Sequence, residues 1–127
     1  MTDASAETIA FFKLTVPDVE SAEAFYSAAL GMVRTREINE APYRERMLQS
    51  PGAGFTLVLF QWLDGRSLEN GNGYGPVGFY TTDMDAAIAR IEAAGGKLKS
   101  GPHSFGPSSV VFLTSPQGHE LELIQLS

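Results

Sequence analysis

The sequence predicts an α+β fold made of two copies of one βαβββ unit. Three observations predict it. A strand–helix–three-strand pattern of hydrophobicity fills the first half and restarts after residue 75. Landmark residues of the two halves keep a constant offset: Asp18 and Asp83, Gly31 and Gly96, and Pro51 and Pro116 lie 65 positions apart, Gly54 and Gly118 64. Thirteen glycines and seven prolines in 127 residues supply the turns that strand-rich halves need. A repeat of this kind means two supersecondary units, each needing the other to bury its sheet.

Each element has a local cause. Residues 8–16 alternate, with Phe12, Leu14 and Val16 on one face and Phe11, Lys13 and Thr15 on the other. Pro17 stops that strand, and Asp18 is a good N-cap. Val19, Ala22, Phe25, Tyr26, Ala29 and Leu30 then recur at helical spacing, and Gly31 is placed to end the helix. Strands follow at residues 32–40, 43–50 and 55–62, with proline- or glycine-rich turns between them. Residues 64–75, rich in turn formers and without periodicity, read as a flexible crossover. Asn70-Gly71-Asn72-Gly73 within it is no phosphate loop, because no helix and no Gly-Lys-Ser/Thr follow. In the second half Val77, Phe79 and Thr81 mark a strand. Asp83 caps a helix with Met84, Ala87, Ile88, Ile91 and Ala94 on one face, and Gly95-Gly96 ends it. Strands at 97–103, 109–114 and 119–126 complete the unit, so the chain is one domain, 1–127, with modules at 8–63 and 76–127.

Composition narrows the partners. Nine basic and fifteen acidic residues leave a formal charge of −6, which argues against nucleic acid or an anionic membrane. No cysteine is present, so disulfides, thiolate nucleophiles and cysteine-ligated metals are excluded. The first residues do not form a signal peptide, and no apolar run reaches the ~20 residues of a membrane span, so a cytoplasmic location is expected.

Val16-x-Asp18, Phe25-Tyr26 and Leu30-Gly31, with Pro116-x-Gly118-x-x-x-Glu122-Leu123 at the other end, resemble the vicinal oxygen chelate superfamily of glyoxalases, bleomycin-resistance proteins and extradiol dioxygenases. The likeness runs from Thr8 to Leu126. It implies cupped mixed sheets with helices outside, a cavity between paired modules, and a homodimer. Metal-dependent members carry four ligands on the inner faces. The matching positions are Phe11, Val58, Pro76 and Glu122, and three of these cannot coordinate a divalent ion. The resemblance with that donor set implies no cofactor, and neither ordinary glyoxalase I nor extradiol dioxygenase chemistry.

The alternation places Phe11, Lys13, Val58, Phe60, Trp62, Pro76, Tyr80 and Glu122 on the inner face: an apolar, aromatic cup with a few polar groups. Lys13 and Glu122 would be either an acid–base pair or a partly buried ion pair. Tyr80 could donate to an oxyanion or stand as a wall. His103, in a loop-like stretch, could cover the pocket. His119 reads as a partly exposed strand-end residue, and Arg44 and Arg46 as a solvated face from which one arginine could clamp a carboxylate. The expectation is a metal-independent isomerase, cyclase or lyase for a hydrophobic, aromatic small molecule. Glu122 is its base, with Lys13 or Tyr80 stabilising an oxyanion; Phe11, Val58, Phe60, Trp62, Pro76 and His103 bind substrate. The alternative is a non-catalytic protein that sequesters a drug or metabolite.

Overall fold

The computed structural model describes residues 7–126. The chain runs β1 (Phe11–Thr15), α1 (Val19–Leu30), β2 (Val33–Glu40), β3 (Tyr43–Gln49), β4 (Thr56–Trp62), β5 (Val77–Tyr80), α2 (Met84–Ala93), β6 (Lys97–Phe105), β7 (Ser108–Thr114) and β8 (Glu120–Gln125). This is βαβββ twice. Two four-stranded sheets result, ordered β1-β4-β3-β2 and β5-β8-β7-β6. In each, the first strand runs parallel to the last and the other pairings are antiparallel, so both sheets are mixed. The repeat extends to register: Lys13 pairs with Val58 in the first sheet, and Gly78 with Glu122 in the second.

The helix ends are built as the sequence predicts. The Asp18 side chain accepts from the Glu20 N–H, and that of Asp83 from the Ala86 N–H. Gly31 closes α1 in the left-handed region at φ 68°, where a side chain would be strained.

The core occupies the helix side of both sheets. Leu14, Leu48, Leu57 and Leu59 from the first sheet and Val111, Leu113, Leu121 and Leu123 from the second join one cluster with Val19, Tyr26, Ala29 and Ile91 of the helices. Each such leucine contributes about 1.5–3 kcal/mol by leaving water. Packing between the modules is carried by α1 and α2. Within one chain the sheets therefore share a core on one side and turn their other, concave faces outward. The expected cavity between paired modules does not close inside a single chain: on those faces Phe11 is 54% and Tyr80 77% exposed.

Two arginine expectations change. Arg46 is not on a solvated face; it is 4% exposed and meets Glu20, Glu23 and Glu37 at 3.9, 3.5 and 3.4 Å. It shares parity with Leu48, so it points at α1, whose first turns offer two carboxylates. Arg44 binds Glu20 at 2.7 Å instead of waiting for a ligand.

Candidate functional site

On the concave face of the first sheet, register places Phe11 beside Thr56, Lys13 beside Val58, and Thr15 beside Phe60. β3 lies next to β4 and adds Tyr43 opposite Trp62, Glu45 opposite Phe60, and Met47 opposite Val58. Phe60 stacks on Tyr43 with centroids 5.3 Å apart and meets Trp62 edge-on at 4.7 Å. The Arg66 guanidinium covers Trp62 at 3.5 Å. Lys13 Nζ lies 2.7 Å from Glu45 Oε1 and stands over the Phe60 and Phe11 rings at 5.1 and 5.7 Å. A hollow of about 280 Å3 opens here, bounded by Phe11, Lys13, Glu45, Met47, Thr56 and Val58. Five expected residues, Phe11, Lys13, Val58, Phe60 and Trp62, are thus brought together.

The concave face of the second sheet is different. Gly78, Glu122, Phe112 and Ser100 form one cross-strand row; Tyr80, Ile124, Val110 and His103 form the next. Among the described residues no cation lies within salt-bridge distance of Glu122, whereas Glu120 is paired with Lys99. A Cβ built on Gly78 would meet nothing within 4 Å, so the space beside Glu122 is open. His103 belongs to β6 and not to a loop; an irregularity between Ser100 and His103 holds both on this face. Gly101 takes φ 103° there, and Ser100 Oγ and His103 Nε2 lie 2.8 Å apart.

Other expectations are corrected. Lys13 and Glu122 do not face each other within one chain, because they lie on different sheets and Lys13 is bound to Glu45. Pro76 precedes β5 and, with Gly78 and Tyr80, lines a cleft between the modules. His119 is 4% exposed, not partly exposed. Residues 64–75 form no helix or strand, yet they fold over the β7–β8 turn. Asn70 donates to the Gln117 carbonyl at 3.4 Å, and the Tyr74 ring lies 6.5 Å from that of His119. Burial pushes the His119 imidazole below its ordinary pKa, and its Nδ1 has no hydrogen-bond partner.

Sequence reasoning missed Glu45, Tyr43 and Ser100. The parity of Tyr43, Glu45 and Met47 was available, but the placement of β3 beside β4 was not. Ser100 needed the glycine–proline irregularity to bring it to His103.

Residues 8–123 match the model of the Glyoxalase/Bleomycin resistance protein/Dioxygenase superfamily. This chain belongs to that superfamily. A probable lactoylglutathione lyase from Vibrio cholerae is 32% identical over 120 residues, covering 88% of this chain and 86% of that protein. The lactoylglutathione lyase of Salmonella typhimurium is 30% identical over 118 residues, covering 88% and 87%. Among solved structures, a glyoxalase I mutant from Zea mays superposes with TM-score 0.80 at 25% identity; the match covers 91% of this superfamily member and 44% of the maize chain. An antibiotic binding protein from a Streptomyces species superposes with TM-score 0.76 at 23% identity over 98% and 100% of the two chains, which shows the shared fold.

These relatives overturn the exclusion of glyoxalase I chemistry. Proteins named for that activity resemble this chain over nearly its whole length. The exclusion counted donors at four positions only. Glu45, Gln49, His103 and Glu120 are further oxygen and nitrogen donors on the concave faces, divided between two sheets. At the four positions themselves the fit is poor, since Phe11, Val58 and Pro76 offer no lone pair, and among the described residues no group of three or more His, Asp or Glu converges. No chemical step is therefore assigned to a metal ion. No described helix is long and apolar enough to cross a membrane.

Proposed function

We propose that this superfamily member is a lyase-type enzyme that moves a proton on a small, hydrophobic, aromatic molecule. The observation that carries this reading is the setting of Glu122. Its carboxylate stands on an open concave face between Gly78 and Phe112, without a paired cation among the described residues. A carboxylate in that setting is free to take a proton. Glu122 would remove a proton from carbon next to a carbonyl, and the bonding pair would move onto the carbonyl oxygen. The Tyr80 hydroxyl and the Lys13 ammonium stabilise that oxyanion. In an α-hydroxy carbonyl substrate Glu122 then returns the proton to the former carbonyl carbon while the α-hydroxyl proton passes to the oxyanion, so that the carbonyl has moved by one carbon. Ser100, in the row of Glu122, and His103, in the next, add a second proton-carrying pair.

Substrate needs both faces, and one chain does not join them. The reading therefore includes a homodimer in which the first sheet of one copy meets the second sheet of the other. Phe11 and Tyr80, exposed in one chain, support it, as does Phe105 at 63% exposure. Phe11, Val58, Phe60 and Trp62 then hold the ring system opposite Glu122.

The test is turnover of lactoylglutathione, the compound for which the relatives are named, and of a panel of aromatic ketones. Glu122→Gln should lower kcat by about 10²–10⁴ with KM little changed. Wild-type turnover in that variant would sink the assignment of the base. The competing reading, a ligand-sequestering protein, is favoured by one feature: Lys13 is already neutralised by Glu45, leaving an aromatic shelf suited to stacking. Saturable ligand binding without turnover of any ligand would decide for it.

A further inference from the structure

Between the modules, on the side of the sheets that faces the helices, lies a second cavity. It encloses about 750 Å3, within the ~300–1,000 Å3 of small-molecule pockets. Phe12 and Phe55 line it from the first module, Phe79 and Leu123 from the second, and Tyr74 from the crossover. Most of its walls are not those of the concave site, which it meets only along β5 at Gly78 and Tyr80. Phe12 has the opposite parity to Phe11 and Lys13, Phe79 to Tyr80, and Leu123 to Glu122. Leu123, 1% exposed, belongs to the shared core, so the cleft reaches the centre of the molecule.

The cleft holds one cation, Arg90, in the last turn of α2. Its Nε donates to the Ala29 carbonyl at 3.3 Å, which fixes the guanidinium by one edge. Among the described residues no carboxylate lies within salt-bridge distance of it, although the chain has fifteen acidic residues and a formal charge of −6. An anchored guanidinium at an apolar cleft is suited to a carboxylate, whose two oxygens match its remaining N–H groups.

We propose that this cleft binds an apolar molecule carrying a single carboxylate, an aliphatic or aromatic carboxylic acid. Its body lies between Phe12, Phe55 and Phe79, and its head group rests on Arg90. Gly78 and Tyr80 of β5 border the cleft as well, so it adjoins the second concave face, but neither Arg90 nor the three phenylalanines have a part in the proposed catalysis.

Decanoate and decanol, titrated calorimetrically into the intact protein, test this. Decanoate should bind one per chain, at least about tenfold more tightly than decanol, as expected for a charge-assisted pair. Arg90→Gln should erase that preference while leaving decanol binding unchanged, and Arg90→Lys should restore part of it. Emission of Trp62, the single tryptophan, sits on the concave face and should not change on saturation. Glu122→Gln should bind decanoate like the wild type, which separates this site from the catalytic reading. Equal affinity for both probes, a preference that survives in Arg90→Gln, a change in Trp62 emission, or no saturable binding because a second copy fills the cleft would each overturn the proposal.

Discussion

The two concave faces come from the same repeated unit, yet they differ in what their charges are doing. On the first sheet the charged groups are satisfied: Lys13 is bound to Glu45, and Arg66, paired with Asp64, lies over the Trp62 ring. The remainder is an aromatic shelf of Tyr43, Phe60 and Trp62. On the second sheet the position equivalent to Lys13 is Gly78, and the position equivalent to Val58 is Glu122. Gly78 has no side chain to fill the space there, and Glu122 has no paired cation among the described residues. In the proposed reading, one copy of the unit holds the ligand and the other reacts with it. The repeat supplies two matching frames that differ at a few inward positions.

That contrast can be broken by exchanging its carboxylates. Glu122→Gln should cost two to four decades in kcat and almost nothing in stability, because it stands free. Glu45→Gln should do the reverse. Glu45 is 6% exposed and carries the Lys13 pair, so its loss should lower unfolding free energy by about 1–2 kcal/mol, after discounting for Lys13 being partly in water. Chemical denaturation of both variants beside steady-state kinetics decides; similar profiles would erase the distinction between the faces. Trp62→Leu should weaken binding of an aromatic ligand several-fold, through about 0.5–1.5 kcal/mol of lost ring contact, and leave kcat intact. An equal loss with an aliphatic ligand would show that Trp62 acts as general bulk.

The smallest effect concerns pH. The folded-state pKa of His119 is depressed by burial, so the unfolded chain binds the proton more readily. Its contribution to stability is therefore fully present above the ordinary histidine value near 6.5 and declines as pH falls below it. The melting temperature should drop from pH 7.5 to pH 5.5, and His119→Gln should flatten that drop. An unchanged slope would remove His119 as its cause.

How far the sequence reached follows from what alternation encodes. Strand parity was legible, which is why Phe11, Lys13, Val58, Phe60 and Trp62 fall on one face. Strand neighbours were not. Nothing in the order Tyr43-Arg44-Glu45-Arg46 says that Glu45 will meet Lys13 while Arg46 turns to Glu20 and Glu23. The proline of Gly101-Pro102 suggested a loop at His103, but β6 continues through an irregularity instead. His119 looked like an exposed strand end because the crossover that covers it has no periodic pattern. The donor count considered Phe11, Val58, Pro76 and Glu122, of which only Glu122 offers a lone pair. It was extended too far when it became an exclusion of the activity for which the relatives are named.

The contact between α1 and α2 has a further consequence. Ala22, Ala29 and Ala87 are all buried there or close by, and small side chains let helices approach to the short end of the usual ~8–10 Å separation. The helix pair is the joint on which both sheets are mounted. A methyl group added or removed at that joint is expected to shift the packing of the helices and so the setting of the sheets, which in the proposed dimer would alter the width of the cup. Ligand size could then drift over evolutionary time without a single change among the residues that touch the ligand.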